Sequence, residues 1–281
     1  MVRNNSMNIK TGGMIVSLKK CMPPIHVISM ASHPERRHHH ISAEARRLQV
    51  HLNLFEACAP RRIADYPNSY DQTYRKKYFG YEMAPGEVGC FMSHRSLWQQ
   101  CAQSDDVAWC ILEDDVVLGP NFVEKIALAM DTAGEWDILR LMSERWDRQG
   151  KLYLRVNNEF RLMRYVRQPQ GTAAYLIRPD AAKVLLKHTE KMRDAVDKMM
   201  DQYWLHGLRM LVLEPALVSI DVKLPSIIQE RGWSAEHRSS RPFWRRLQRE
   251  VRNGWESLCA RSYLWAQTFR NPVHGYWTFR K

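Results

Sequence analysis

Three consecutive carboxylates, Glu113-Asp114-Asp115, close the clearest apolar run of the sequence, Val107-Ala108-Trp109-Cys110-Ile111-Leu112. A run that is apolar throughout predicts a strand covered on both faces. Alternation along such a strand would put Glu113 and Asp115 on one side and Asp114 on the other. At the carboxyl end of a central strand, that pair would face the crevice in which α/β sheets bind ligands. Hard oxygen donors of this kind suit Mg²⁺ or Mn²⁺, ions that bridge the phosphates of a nucleotide. Such an ion also neutralises the charge that develops on a departing diphosphate. The plain alternative is a solvated turn, because acidic residues commonly follow strands.

The elements that would position the triplet can be read from the pattern around it. Residues 23–230 alternate short apolar runs with helical stretches, as an α/β domain does. Strands are predicted over residues 25–30, 52–57, 107–112, 136–141, 172–177 and 211–213. Helices are predicted from Pro34 to about Val50, with a proline near the start, and over 86–100, 180–188 and 197–206. Residues 1–22 read as an irregular leader, and residues 231–281 as a separate Arg- and Trp-rich tail.

The blocks flanking the triplet follow a recognisable order. They are His26-Val27-Ile28-Ser29-Met30-Ala31-Ser32 with Glu35-Arg36-Arg37; Glu87 and Cys90-Phe91-Met92-Ser93-His94 with Leu97-Trp98; and Glu113-Asp114-Asp115-Val116 with Leu118-Gly119. Arg140-Leu141, Gly171-Thr172-Ala173 with Tyr175 and Ile177, Val196-Asp197 with Met199-Met200, and Pro215-Ala216-Leu217 complete the series. Each block is weak alone, but seven in this order, from residue 26 to about 221, resemble glycosyltransferase family 25, the lipooligosaccharide galactosyltransferases. The resemblance implies an α/β fold: a GT-A-like nucleotide-sugar-binding domain with a mostly parallel central sheet, here carrying a basic helical C-terminal appendage. It further implies a UDP-sugar donor and metal-assisted, inverting transfer of a hexose, galactose first, to a lipooligosaccharide or lipopolysaccharide sugar. Mn²⁺ or Mg²⁺ would sit at Glu113 and Asp115.

Site residues follow block by block, each beside a plainer reading. Backbone groups of Ile28, Ser29 and Met30 would cradle the base and ribose, and Asp114 would face the ribose or the fold. Arg36 or Arg37 could reach a phosphate bidentately, or lie on the surface. Ser93 and His94 would sit on a helix facing the sheet. His94 could bond a sugar hydroxyl or the diphosphate, or be a core histidine. Glu87 could hold a sugar hydroxyl or begin its helix, where a carboxylate suits the dipole. Gly171 and Thr172 precede a strand, where glycine lets backbone approach a ligand, or simply make a turn. An inverting transfer needs a carboxylate to take the acceptor proton, a role worth ~10²–10⁴ in rate. The resemblance puts Asp197 first for that role, with a helix cap as its plainer reading. Asp201, one turn on, and Glu144 are the other candidates.

Several readings lack support. The His38-His39-His40 run diverges around a helix and reads as a solvated face rather than a metal site. No GxGxxG or GxxxxGK[ST] pattern occurs, so dinucleotide and P-loop chemistry are not indicated. The six cysteines, Cys21, Cys58, Cys90, Cys101, Cys110 and Cys259, form no CxxC pair. In apolar surroundings they read as reduced thiols, which fits a cytosolic chain. No signal-peptide pattern and no apolar run of spanning length is present. A location in the cytoplasm, peripheral on the inner face of a bacterial inner membrane, is the resulting expectation.

Charge points to a polyanionic partner. Lys plus Arg total 42 against 30 Asp plus Glu, a net charge of +12. Arginines crowd residues 231–281, where Trp244, Leu247, Val251, Trp255 and Leu258 recur at three- or four-residue steps. Such a basic amphipathic helix suits an anionic membrane surface, where a lipid-linked acceptor would be presented; the alternative is packing on the domain. A nucleic-acid-binding protein would also explain the tail, but it leaves the triplet unexplained. A metal-dependent nuclease or phosphatase would use the triplet, yet the sequence offers no further set of acidic ligands. Hence the expected partners are a UDP-sugar, a lipooligosaccharide acceptor and an anionic membrane, with no nucleic acid.

Overall fold

A computed structural model describes residues 22–30, 36–142, 150–169, 171–221, 243–270 and 277–278. Residues 1–21 of the leader expected over 1–22, and Glu144, therefore lie outside the described residues.

Three apolar runs form parallel neighbours: β1 (Ile25–Ser29), β2 (Asn53–Glu56) and β3 (Trp109–Glu113), with β1 in the middle. Helix α1 (Arg36–Leu48) makes the first crossover, and α2 (Gln72–Tyr78) with α3 (Pro85–Cys101) makes the second. After β3 come β4 (Val116–Leu118), α4 (Phe122–Asp131), β5 (Ile138–Arg140), β6 (Gly150–Arg155), β7 (Arg161–Tyr165) and β8 (Ala174–Ile177). Then follow α5 (Pro179–His188), α6 (Val196–Met200), α7 (Tyr203–His206), β9 (Met210–Glu214) and β10 (Val218–Ile220). Helix α8 (Phe243–Arg270) and β11 (Trp277–Thr278) end the series.

The central sheet has the order β11-β6-β7-β9-β5-β8-β3-β1-β2. Strands β1, β2, β3, β5, β6 and β9 run one way, while β7, β8 and β11 run against them. The sheet is thus mostly parallel in direction but mixed in its pairings. β4 and β10 form a separate two-stranded antiparallel sheet. The α/β class expected from the sequence is present, as is the helical C-terminal segment.

Both faces of the sheet are covered. One face, bearing Val27, Cys110 and Leu112, packs with Ile41 of α1 and with Phe122 and Ile126 of α4. The other, bearing Ile28, Trp109, Ile111, Tyr175 and Ile177, packs with α3, α5, α6, α7 and part of α8. The buried strand expected over 107–112 is present as β3, shifted to Trp109–Glu113, with Val107 outside it and exposed.

Helix α3 begins with Pro85 at its first position, and Glu87 in the first turn accepts a hydrogen bond from Ala84 N–H at 2.8 Å. Glu87 thus serves the start of its helix. The helix is clamped to the segment after β2 by a close approach at Gly89, where a Cβ would stand 2.3 Å from the Cys58 carbonyl oxygen. One turn on, Ser93 Oγ accepts from Cys58 N–H at 2.9 Å and donates to Gly89 O at 2.8 Å. Ser93 is wholly buried, so its hydroxyl serves this clamp rather than a sugar.

Helix α8 is docked along one side only. Ala260 and Leu264 are buried, Tyr263 Oη donates to Gly207 O at 3.0 Å, and Arg167 donates to Ser257 Oγ. Arg252 lies over the Phe79 ring at 4.1 Å, while Arg75 lies over the same ring at 3.7 Å and donates to Asp194. The apolar stripe of Leu247, Val251, Trp255 and Leu258 is on another face and is exposed, and Trp265 extends it. Among the described residues, the tail thus packs on the domain through faces other than that of Leu247, Val251, Trp255 and Leu258.

Replacing Gly89 by Ala should destabilise the fold by about 1–3 kcal/mol, because the new methyl meets backbone rather than a flexible side-chain tip. A lowered urea midpoint at unchanged m-value would show it; an unchanged midpoint would contradict the clamp.

Candidate functional site

Four segments meet at one edge of the sheet. β1, β3 and β5 end there at Ser29, Glu113 and Arg140, and the reversed β8 begins there, which brings Gly171-Thr172-Ala173 to the same edge. Trp109 and Ile111 of β3 pack in the core shared with α3, so the two-residue period of the strand turns Glu113 to that helix. Its Oε1 accepts from Thr172 Oγ1 at 2.9 Å and lies 3.4 Å from Nε2 of the wholly buried His94.

The strand stops at Glu113, and Asp114 and Asp115 form the turn into β4. The alternation expected to pair Glu113 with Asp115 therefore does not extend through the triplet. Asp114 is buried and its Oδ2 accepts from Ser29 Oγ at 2.8 Å, so of its two expected roles it takes the one in the fold. The Ser29 carbonyl is likewise committed, to Ala57 N–H at 2.9 Å, and Ile28 is paired in the ladder with β2 and β3. Of the backbone groups expected to cradle a ribose, those of Met30 lie beyond the strand end. Asp115 presents its carbonyl to Asp221 N–H at 2.8 Å.

The Cys90 thiol of α3 is pushed well above its ordinary pKa, first by burial and next by the Glu113 carboxylate, with Asp197 and Asp115 adding to the rise and a hydrogen bond with Thr172 opposing it. Carboxylates from β3, from the following turn and from α6 thus all act electrostatically on one thiol. Among the described residues, Cys90, His94 and Glu113 also form a cluster whose ligand-type atoms all lie within 4.8 Å of one another.

The helix expected over 197–206 is broken into α6 and α7 at Asp201-Gln202. Asp197 is half-buried in the first turn of α6, where Oδ1 accepts from Lys198 N–H at 2.8 Å; the N-cap position itself is Ala195. Asp201 is paired with Arg140, whose guanidinium also donates to Gly171 O. Gly171 has φ +92, a conformation that glycine adopts without strain. Burial drives the Asp201 carboxyl up to about 6, the nearby Asp197 adds to this, and Arg140 and Lys198 oppose it.

Other residues of the sequence reading fall elsewhere. His40, in the run read as a solvated face, is half-buried, with Nε2 2.8 Å from the Val116 carbonyl oxygen in the α1–β4 contact. The side chains of Arg36 and Arg37, like Glu144, lie outside the described residues. Four residues of the site served in the sequence only as markers of spacing: Cys90, Trp98, Arg140 and Tyr175. For Arg140 a signal existed, since a lone arginine inside the apolar run 138–141 must find an acceptor.

Comparison with known proteins followed the same residues. The sequence profile described as "Glycosyltransferase family 25 (LPS biosynthesis protein)" matches residues 22–200. A "Glycosyltransferase 25 family member" of Aedes aegypti is 26% identical over 175 residues, covering 58% of this chain and 28% of that protein. The "Lipooligosaccharide biosynthesis protein lic2B" of Haemophilus influenzae is 29% identical over 179 residues, covering 58% of this chain and 62% of its own length. The "Lacto-N-neotetraose biosynthesis glycosyltransferase LgtE" of Neisseria meningitidis is 26% identical over 239 residues, covering 74% and 77%. The chain thus spans less than two thirds of the first two of these relatives.

The elevated Asp201 pKa gives a sign that can be checked. Folding raises it from 3.8 to about 6, so its contribution favours the fold at low pH and is lost as pH rises through about 6. Asp201→Asn should therefore remove part of the loss of stability between about pH 4 and about pH 7. Denaturant melts at both ends of that window measure the difference. Parallel pH profiles for the two proteins would contradict the assignment.

Proposed function

The chain belongs to glycosyltransferase family 25, and from that premise we propose that it transfers a hexose, galactose from UDP-galactose, to a lipooligosaccharide or lipopolysaccharide sugar with inversion. The observation that carries this reading is the Glu113 carboxylate at the edge where the strands end, met there by Thr172 and His94, with Asp115 in the turn just after it and Asp197 near enough to act with both on the Cys90 thiol. Carboxylates that share one edge in this way repel one another unless a cation or proton relieves them. The oxygen donors of Glu113 and Asp115 fit Mn²⁺ or Mg²⁺. Such an ion, when bound, neutralises the charge on the departing diphosphate.

Asp197 is the first choice for the base. It is half-buried and so open to an acceptor hydroxyl, whereas Asp201 is tied to Arg140. The acceptor oxygen would attack the anomeric carbon as its proton passes to the Asp197 carboxylate. Arg140, by bonding both Asp201 and the Gly171 carbonyl, holds α6 against the loop that carries Thr172.

Helix α8 would bring this crevice to the acceptor. Leu247, Val251, Trp255, Leu258 and Trp265 recur at steps of four, four, three and seven residues and are each at least 44% exposed, on one face of an otherwise docked helix. Beside arginines, such a face suits an anionic bilayer surface, where each cation adds about 1 kcal/mol. No helix among the described residues is long and apolar enough to cross a membrane.

Three measurements test these assignments. With Mn²⁺ present, the native protein should hydrolyse a UDP-sugar slowly and Asp115→Ala should not; equal turnover would exclude the metal assignment. Asp197→Asn should retain UDP binding while its transfer rate falls by ~10²–10⁴; undiminished transfer would exclude Asp197 as the base. Trp255→Glu combined with Trp265→Glu should abolish flotation with phosphatidylglycerol vesicles while sparing turnover on a soluble acceptor. Retained flotation would rule out the membrane contact.

A further inference from the structure

The hydrogen bonds behind Glu113 have only one consistent direction. Trp98 Nε1 lies 2.9 Å from Tyr175 Oη, and an indole N–H can only donate. The phenol must then place its single hydrogen on its other partner, His94 Nδ1, at 2.9 Å. A neutral imidazole that accepts at Nδ1 carries its hydrogen on Nε2, and Nε2 faces Glu113 Oε1 at 3.4 Å. The opposite tautomer would turn a lone pair toward a carboxylate. It would also aim two donors at Tyr175 Oη and strand the phenolic hydrogen. An imidazolium would strand it too.

Burial makes this arrangement rigid. Trp98, Tyr175 and His94 are all 0% exposed, so water cannot substitute for any link. In such surroundings an unmet donor or acceptor is costly, and successive bonds polarise one another. The chain crosses from α3 to β8 and back to α3 before it reaches β3, so it also fixes the helix against the sheet. Thr172 donates to the same Oε1 from the far side at 2.9 Å.

We propose that Trp98, Tyr175 and His94 form a one-way donor chain that holds the Glu113 carboxylate in a single orientation for the divalent cation, making Tyr175 and His94 positioning residues and not ligands. This rests on the reading of Glu113 as a metal-holding residue. It also decides how the Cys90–His94–Glu113 cluster is to be understood. His94 turns an N–H to the cluster rather than a lone pair, so the three do not form a chelate of their own. Carboxylate ligands are commonly oriented by such outer partners, and losing one weakens metal affinity about 10–100-fold.

The test combines a spectrum with a titration, neither of which needs turnover. In ¹⁵N-labelled protein, the His94 ring shifts should report hydrogen on Nε2 and an accepting Nδ1. Mn²⁺ affinity, followed by the electron paramagnetic resonance of the free ion, should fall about 10–100-fold in Tyr175→Phe and His94→Leu at preserved melting cooperativity. His94→Gln should recover most of the affinity, because its amide can accept from Tyr175 and donate to Glu113. Hydrogen on Nδ1 in the native protein, or direct perturbation of Nε2 by added Mg²⁺, would overturn the chain itself. The expected tautomer together with equal Mn²⁺ affinity in Tyr175→Phe would overturn only the positioning role. Failure of the native protein to bind Mn²⁺ at all would remove the metal reading and this role with it.

Discussion

A carboxylate at the end of a strand covered on both faces, even one whose side chain keeps 29% exposure as that of Glu113 does, is stabilised when donors meet it. Glu113 is in that position, and much of the surrounding architecture can be understood as meeting this requirement. The two-residue period of β3 decides that it faces α3. That helix must therefore present a donor one strand-width away, and His94 does so. β8 must supply another, and Thr172 does so from the residues just before the strand. Gly89 and Ser93 then matter at a distance, since they set how closely α3 approaches and hence where His94 stands. A local demand for hydrogen bonds thus fixes the spacing between a helix, two strands and a loop.

Much of this was legible from residue types. The runs that became β1, β3 and β8 are largely apolar, broken only by His26 and Ser29 in β1 and by Glu113 at the end of β3, and they read as strands between two layers. The α3 and α5 segments carry helical spacing with prolines at their starts. The hairpin of β6 and β7 is not evident in the pattern because Lys151, Arg155, Arg161 and Arg164 interrupt its apolar residues. The α4 segment, FVEKIALAMD, is amphipathic over only ten residues and is not among the helices predicted from the sequence.

The triplet itself shows where pattern reasoning loses force. Alternation holds only while the backbone stays extended, and here the chain turns directly after Glu113. Asp114 is then free to reach Ser29 on a neighbouring strand, a contact between residues 85 apart that no local rule foresees. In the same way, Trp98 and Tyr175 look like ordinary core residues in the sequence. Only the fold reveals that their polar ends point at one histidine. By contrast, the tail was legible in its chemistry and not in its placement, since its helix has two working faces and composition suggests only one.

The docking of α8 has a mechanical consequence. Arg252 of that helix and Arg75 of α2 sandwich the Phe79 ring, and Arg75 grips Asp194, three residues before Asp197. Tyr263 meanwhile holds the α8 backbone to the turn that closes α7. The outer stripe and the crevice are therefore ends of one stiff strut. Whatever surface α8 rests upon, the height of the Asp197 carboxylate above it is set by protein packing and not by a pliable tether. Under the proposed membrane contact and base, such a strut would act as a gauge: sugars nearer to that surface, or farther from it, than the strut allows would pass unmodified.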